Sequence, residues 1–312
     1  GVIMSQQDRP ESAMVPFQIA IKKGAELQKP AKFQDVVVLN IARAYFAAEN
    51  FPQASVYYAE VPRNSIYWVD AHFERAWAHF RMKDMNGVLG LLHTHNSPFL
   101  EKEYYPEAEL LRIYALIMLC KFPEANQQID LFVERFTPQN ELLADHSSKT
   151  EEELFAQIRS AVETGTSELP DMITRRFMNE DRFLDALKSV RSAEDEATRL
   201  QSVSGNEFAK LASSIVKERR NAIITTEGER IKNKIQTMSS DLQEMLSSTE
   251  ISKLDILDME VQMLQRAAVT GDLEEAKRQV KREKRLRTGD LVWPYEGEYW
   301  ADEIGYYQVN TK

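Results

Sequence analysis

Apolar positions in the first 136 residues fall three or four apart, and small residues share those stripes with aromatics. Ala42 and Tyr45 lie on one face of one predicted helix, and Ala54 and Tyr58 on one face of the next. The break between such helices recurs with its restart. Asn50-Phe51-Pro52-Gln53-Ala54 is echoed by Asp84-Met85-Asn86-Gly87-Val88 and by Lys121-Phe122-Pro123-Glu124-Ala125, at intervals of 34 and 37 residues. A period near 34 in an alanine-rich helical context predicts stacked helix pairs, each burying its seam against the next. Ala42, Ala54, Ala76 and Ala125 permit close helix approach, while Tyr45, Phe51, Tyr58 and Phe122 fill the space between pairs. The alternative is an ordinary helical bundle with a chance echo.

The pattern changes near residue 137. Thr137-Pro138 predicts the start of a short helix with proline in its first turn. Thr150 to Glu153 reads as a capping box before another helix, and Gly165 to Pro170 as a loop. From 180 to 288 the pattern is almost continuously helical, interrupted by Gly205 and Gly228. Ile231, Ile235, Met238, Leu242 and Met245 form one heptad-like stripe; Leu254, Leu257, Val261, Leu264 and Ala268 form a second. Ser247 to Glu250, a capping-box pattern between them, predicts a turn and hence a long antiparallel helical hairpin. The alternative is that both stripes pack within one bundle. A repeat-like half-unit returns at Ala268 to Ala276, with Gly271 at its turn. The expected organisation is helical repeats over 1–136, short connecting helices over 137–179, the hairpin region over 180–288, and a tail over 289–312.

The first part resembles the tetratricopeptide repeat family over about residues 34–136. Ala42, Tyr45, Phe51, Ala54 and Tyr58 follow the family's order of small and aromatic positions, with Pro62 closing the first unit early. Ala76, Met85 and Leu92 fit the second unit, where His79 and Val88 replace an aromatic and an alanine; Phe122, Ala125 and Ile129 fit the third. The family's turn glycine is replaced by Glu49, Lys83 and Cys120, so the repeats are degenerate. The resemblance implies an all-α solenoid of helix pairs whose first helices line a concave groove that receives a protein or peptide. On the family pattern Tyr45, Trp77 and His79 stand on those first helices and are the expected partner-binding residues.

Composition narrows the alternatives. Eleven glycines in 312 residues are about half the usual ~7%, too few for a glycine-loop dinucleotide enzyme or a turn-rich sandwich. The net charge of −10 disfavours wholesale nucleic-acid binding. Cys120 is the single cysteine, which excludes an intrachain disulfide framework; its apolar run, 110–120, suggests a buried inert thiol and is too short to span a bilayer. The chain opens Gly1-Val2-Ile3-Met4, the expected appearance of a protein that has lost a leader.

Candidate chemistry is sparse. His93 and His95 would supply two metal ligands, but no third is signposted, and no metal or other cofactor is expected. His72 and His79 are expected to pack beside Trp68 and Trp77. Asp145-His146-Ser147 holds triad residue types in adjacent positions, which is not how triads converge. Lys277, Arg278, Lys281, Arg282, Lys284, Arg285 and Arg287 form a basic patch that suits phosphate backbones or anionic lipid, although a solvated helix explains it more simply. The tail gathers Trp293, Tyr295, Tyr299, Trp300, Tyr306 and Tyr307, and residues of such packing value are expected to dock against the helices. This ending resembles the aromatic–acidic endings of bacterial cell-envelope repeat proteins.

The reading that follows is a non-enzymatic scaffold that binds a protein or peptide through a helical solenoid. The alternatives are an electrostatic binder acting through 277–287 and a structural oligomer built on the hairpin. A periplasmic or envelope location follows from the chain's opening and its tail; the lone cysteine fits the cytoplasm equally well.

Overall fold

A computed structural model describes residues 10–28, 30–100, 103–178, 180–202, 207–270 and 297–311. Helix is the regular structure of these residues, joined by turns and loops and followed by an irregular tail at 297–311, with no strand among them. The helices are α1 (Pro10–Glu26), α2 (Ala31–Ala47), α3 (Phe51–Ala59), α4 (Trp68–Arg81), α5 (Met85–His95), α6 (Pro106–Met118), α7 (Phe122–Ser147), α8 (Glu151–Thr164), α9 (Asp171–Met178), α10 (Asp181–Ser202) and α11 (Glu207–Thr270). The chain divides into two compact units. One comprises Gly1–Glu101, Glu107–Ile129 and Ser252–Lys312; the other comprises Lys102–Pro106 and Asp130–Ile251.

In the first unit each helix from α1 to α5 packs against the next. Fully buried Ala42, Ala54, Ala71 and Ala78 bring the backbones together around Leu39, Tyr58 and Val61, with Tyr45, Phe51 and Trp68 filling the flanks. The turns within α2–α3, α4–α5 and α6–α7 repeat one geometry. Glu49, Lys83 and Cys120 are left-handed, with φ of 58°, 61° and 55°. After each, the next amide donates back to the carbonyl five residues earlier: Asn50 to Tyr45, Asp84 to His79 and Lys121 to Leu116. These are the three positions where the sequence lacks a glycine, so the turn shape is kept at a strain of about 1–2 kcal/mol per site. Asn50 and Asp84 then cap the following helix, accepting from the amides of Gln53 and Gly87. Cys120 is exposed, contrary to the buried thiol expected, because the apolar run leaves its helix at Met118 and the cysteine forms the turn.

In the second unit Phe132, Phe136, Phe155, Phe177 and Phe183 are almost fully buried. No helix begins at Thr137-Pro138; α7 runs through it. Ile129, Phe132, Phe136 and Leu143 form one continuous buried stripe, and burying it offsets the hydrogen bond the proline cannot make. The capping box at the start of α8 is present, Thr150 and Glu153 bonding reciprocally, and Gly165 ends the helix at φ 73°.

The hairpin is replaced by one helix, α11, of 64 residues. The predicted turn fails because its polar side chains are satisfied along the helix: Ser247 and Ser248 donate to the carbonyls of Gln243 and Glu244, and Thr249 to that of Leu246. Gly228 does not interrupt either. A Cβ there would lie 2.6 Å from the Glu151 carbonyl carbon, so the glycine admits the start of α8. The first stripe, Ile231 to Met245, is buried, and Asn140 reaches it with bonds to Ser239 and Gln243. The second stripe is exposed. Gly205 and the basic patch of Lys277, Arg278, Lys281, Arg282, Lys284, Arg285 and Arg287 lie outside the described residues, as do Trp293, Tyr295 and the half-unit from Gly271 onward.

Candidate functional sites

Among its described residues the first unit carries a groove and an open cavity. The first is a groove of about 480 Å³ lined by Arg43 and Phe46 of α2, Tyr58 of α3, and Glu74, Trp77 and Arg81 of α4. Helical spacing builds it: Arg43 and Phe46 are three apart, Glu74, Trp77 and Arg81 three and four apart, so each set lies on one helix face. Arg43 donates from Nε and Nη2 to the Glu74 carboxylate, at 2.8 Å for the Nε–Oε2 bond, and this fork raises its pKa. The Arg81 guanidinium lies over the Phe51 ring at 4.6 Å. Burial raises the Tyr58 pKa, so the phenol stays protonated. The groove thus offers an apolar floor of Phe46 and Trp77 between two guanidinium groups and one carboxylate.

Of the three expected partner-binding residues, the structure brings only Trp77 to this groove. Tyr45 stacks on Tyr57 at 5.2 Å, inside the α2–α3 pair. His79 belongs to a hydrogen-bond chain that joins α3, α4 and the N-cap of α5. Arg75 Nε donates to Ser55 Oγ, Ser55 Oγ meets His79 Nε2 at 2.9 Å, and His79 Nδ1 meets Asp84 Oδ2 at 2.8 Å. With Nδ1 protonated toward the carboxylate, the serine hydroxyl donates to Nε2, and the chain is satisfied. Arg43, Phe46, Glu74 and Arg81 escaped sequence reasoning. The spacing that signals them is the 31 residues between Arg43 and Glu74, close to the repeat period.

The second site is made by the tail. Residues 297–311 lie on α5 and the first turn of α4. Arg63 donates to the Ala301 carbonyl, the Gly305 amide to Thr94 Oγ1 at 2.9 Å, and the Thr311 amide to Asn86 Oδ1 at 3.4 Å. His93 is stacked on Tyr299 at 4.7 Å and meets Tyr307 edge-on at 4.4 Å, and Ile304 is buried. Gly90 is needed because a Cβ there would run into the Tyr307 carbonyl; Gly305, at φ 93°, lies under Trp68. Trp300 remains 53% exposed, on the rim rather than in the dock, because the turn over 301–306 directs Ile304 inward instead. Trp300, Glu298, Glu303, Tyr306, Arg112 and His93 surround an open cavity of about 930 Å³.

His72 and His93 lie beneath this tail, and His95 lies beside His72 and Phe73. His72 stacks on Trp68 at 5.0 Å, as expected, and pairs through Nε2 with the Leu91 carbonyl; burial lowers its pKa to about 4. Burial, then Arg112, lowers His93 to about 4; burial, then His72, lowers His95 to about 3. All three are neutral at physiological pH and act as packing groups. Among the described residues no cluster of three metal-ligating side chains occurs. No described helix is long and apolar enough to cross a membrane.

No family model, curated protein or solved structure matches the chain.

Proposed function

We propose that this protein is a non-enzymatic interaction scaffold, a degenerate tetratricopeptide-like array that receives a peptide segment of a protein partner in the groove between α2 and α4. The observation that carries the reading is the groove itself: Phe46 and Trp77 flanked by Arg43, Glu74 and Arg81 on successive first helices. An apolar floor with a few oriented polar groups is the composition of a recognition site, and aromatic and arginine side chains dominate binding energetics. The shared left-handed turn at Glu49, Lys83 and Cys120 supports the repeat assignment, since one turn geometry recurs at the period read from the sequence. The resemblance of the tail carries the further proposal that the partner belongs to a bacterial envelope complex.

The test is binding of peptides selected from a random library against the full chain, followed by titration calorimetry with Trp77→Ala and Arg81→Ala. Trp77→Ala is expected to weaken binding by about 2 kcal/mol or more, roughly 30-fold, as for a central aromatic anchor. Unchanged affinity in both variants rules out the groove.

A further inference from the structure

Beyond the groove, the molecule carries a second exposed apolar surface. On the last five turns of α11, Leu254, Leu257, Val261 and Leu264 are 49–66% exposed. They follow the 3, 4, 3 spacing of a coiled-coil seam, which Ala268 continues. The opposite face of the same turns is buried, at Ser252, Ile256 and Ala267. The helix is therefore held on one side and presents a second, hydrophobic edge on the other. Four large aliphatic side chains in register exceed the scattered apolar exposure of an ordinary surface.

We propose that this edge is a self-association surface, where the α11 helices of two copies pair in parallel. The heptad register selects the occupant. With Leu254 and Val261 at a and Leu257 and Leu264 at d, Lys253 and Glu260 take g, and Asp258 and Gln265 take e. A parallel two-fold pair places Lys253 of each copy beside Asp258 of the other, and Glu260 beside Gln265. An antiparallel pair places Asp258 against Asp258 and Glu260 against Glu260, which repel. The seam is thus complementary to itself in one orientation and opposed to itself in the other. Asp258 is held in place by Gln262, which donates to its Oδ2 at 2.7 Å. Lys253 already has an interaction in its own chain, and its three-donor ammonium can serve a second carboxylate. The helix is preformed, so pairing does not bear the cost of helix nucleation. A seam of 15 residues extends about 22 Å and buries less than the ~1,600 Å² of a standard interface. It supports a weak dimer whose population depends on concentration.

Sedimentation velocity of the full chain from about 1 μM to about 1 mM tests this. The expected mass rises from 36.0 kDa toward twice that value, and Leu257→Glu with Leu264→Glu holds it at 36.0 kDa with an unchanged circular dichroism spectrum. A second variant reports orientation without loss of apolar surface. Leu257→Cys in a Cys120→Ser background is expected to form a disulfide-linked dimer on oxidation, because d meets d only in the parallel pair. A wild-type chain that stays at 36.0 kDa throughout, as it would if residues 271–296 or another protein covered the stripe, overturns the proposal. So does a glutamate variant that associates as well as wild type, or an absence of cross-linking in the cysteine variant.

Discussion

Gly90 sits in the interior of α5, where replacing glycine by alanine ordinarily stabilises a helix by about 1 kcal/mol. The tail reverses that expectation. A Cβ at position 90 would overlap the Tyr307 carbonyl oxygen and lie 3.2 Å from its carbon and 3.5 Å from Gln308 Cα. These are backbone atoms and cannot rotate away, so the tail must lift. Lifting endangers the bonds from Arg63, Gly305 and Thr311, at about 1 kcal/mol each, and the burial of Ile304, at about 2 kcal/mol. Set against the gain of about 1 kcal/mol in helix propensity, Gly90→Ala should destabilise the full chain by up to about 4 kcal/mol when all of these contacts are lost. In a chain ending at residue 296 the same substitution should stabilise, by about 1 kcal/mol. Urea denaturation of the four proteins measures both signs, and hydrogen exchange at the Gly305 amide reports whether the tail has lifted. If Gly90→Ala stabilises the full chain and leaves Gly305 protected, the tail does not rest on α5 at Gly90 and the reasoning fails.

Three further outcomes follow from the same physical chemistry. His72, His93 and His95 titrate below their unfolded value of 6.5, so the unfolded chain binds more protons as pH falls from 6.5 toward 4, and folding stability drops. His72 alone accounts for about 2 kcal/mol at pH 5, in a window above the titration of the acid-shifted carboxylates; urea midpoints at pH 7.5 and pH 5 read it, and equal midpoints contradict it. Pro138→Ala should stabilise the protein by about 1–3 kcal/mol, because it restores a helical hydrogen bond inside α7, and a lower urea midpoint would show that the proline bends the helix usefully. Lys83→Gly should stabilise by about 1 kcal/mol, since glycine adopts the left-handed turn without strain, and thermal melts should move upward.

The helices of the first unit were legible because break, cap and restart recur, and because alanine and aromatic residues keep one period. The turn positions at Glu49, Lys83 and Cys120 were also legible, even though none is glycine. The capping box at Thr150 was visible because both its partners are local. A local pattern misled at Ser247–Glu250, where the same residue types bond back along the helix they were expected to begin. Serine and threonine serve either end, and the face that stays buried through Met245, Thr249, Ser252 and Ile256 decided between them. Pro138 misled for a related reason: burial of Phe132 and Phe136 outweighed a local preference. The groove was half legible. Trp77 announces itself, whereas Arg43 and Glu74 look like ordinary surface charges until α2 and α4 lie side by side. His79 and Tyr45 lie among hydrogen-bond and ring neighbours on adjacent helices and outside the groove, which the sequence pattern does not reveal. Gly228, expected to interrupt its helix, and Gly87 and Gly90 all carried another signal, since a glycine inside a helix marks the close approach of another group.

The most direct measurement of the central claim is hydrogen exchange on the full chain, free and saturated with a peptide selected from the random library. A scaffold that binds through its first helices should gain protection along the faces of α2 and α4 that carry Arg43, Phe46, Trp77 and Arg81, with residues 297–311 unchanged. Protection confined to the tail and α5, with the α2–α4 groove exchanging as in the free protein, would contradict it.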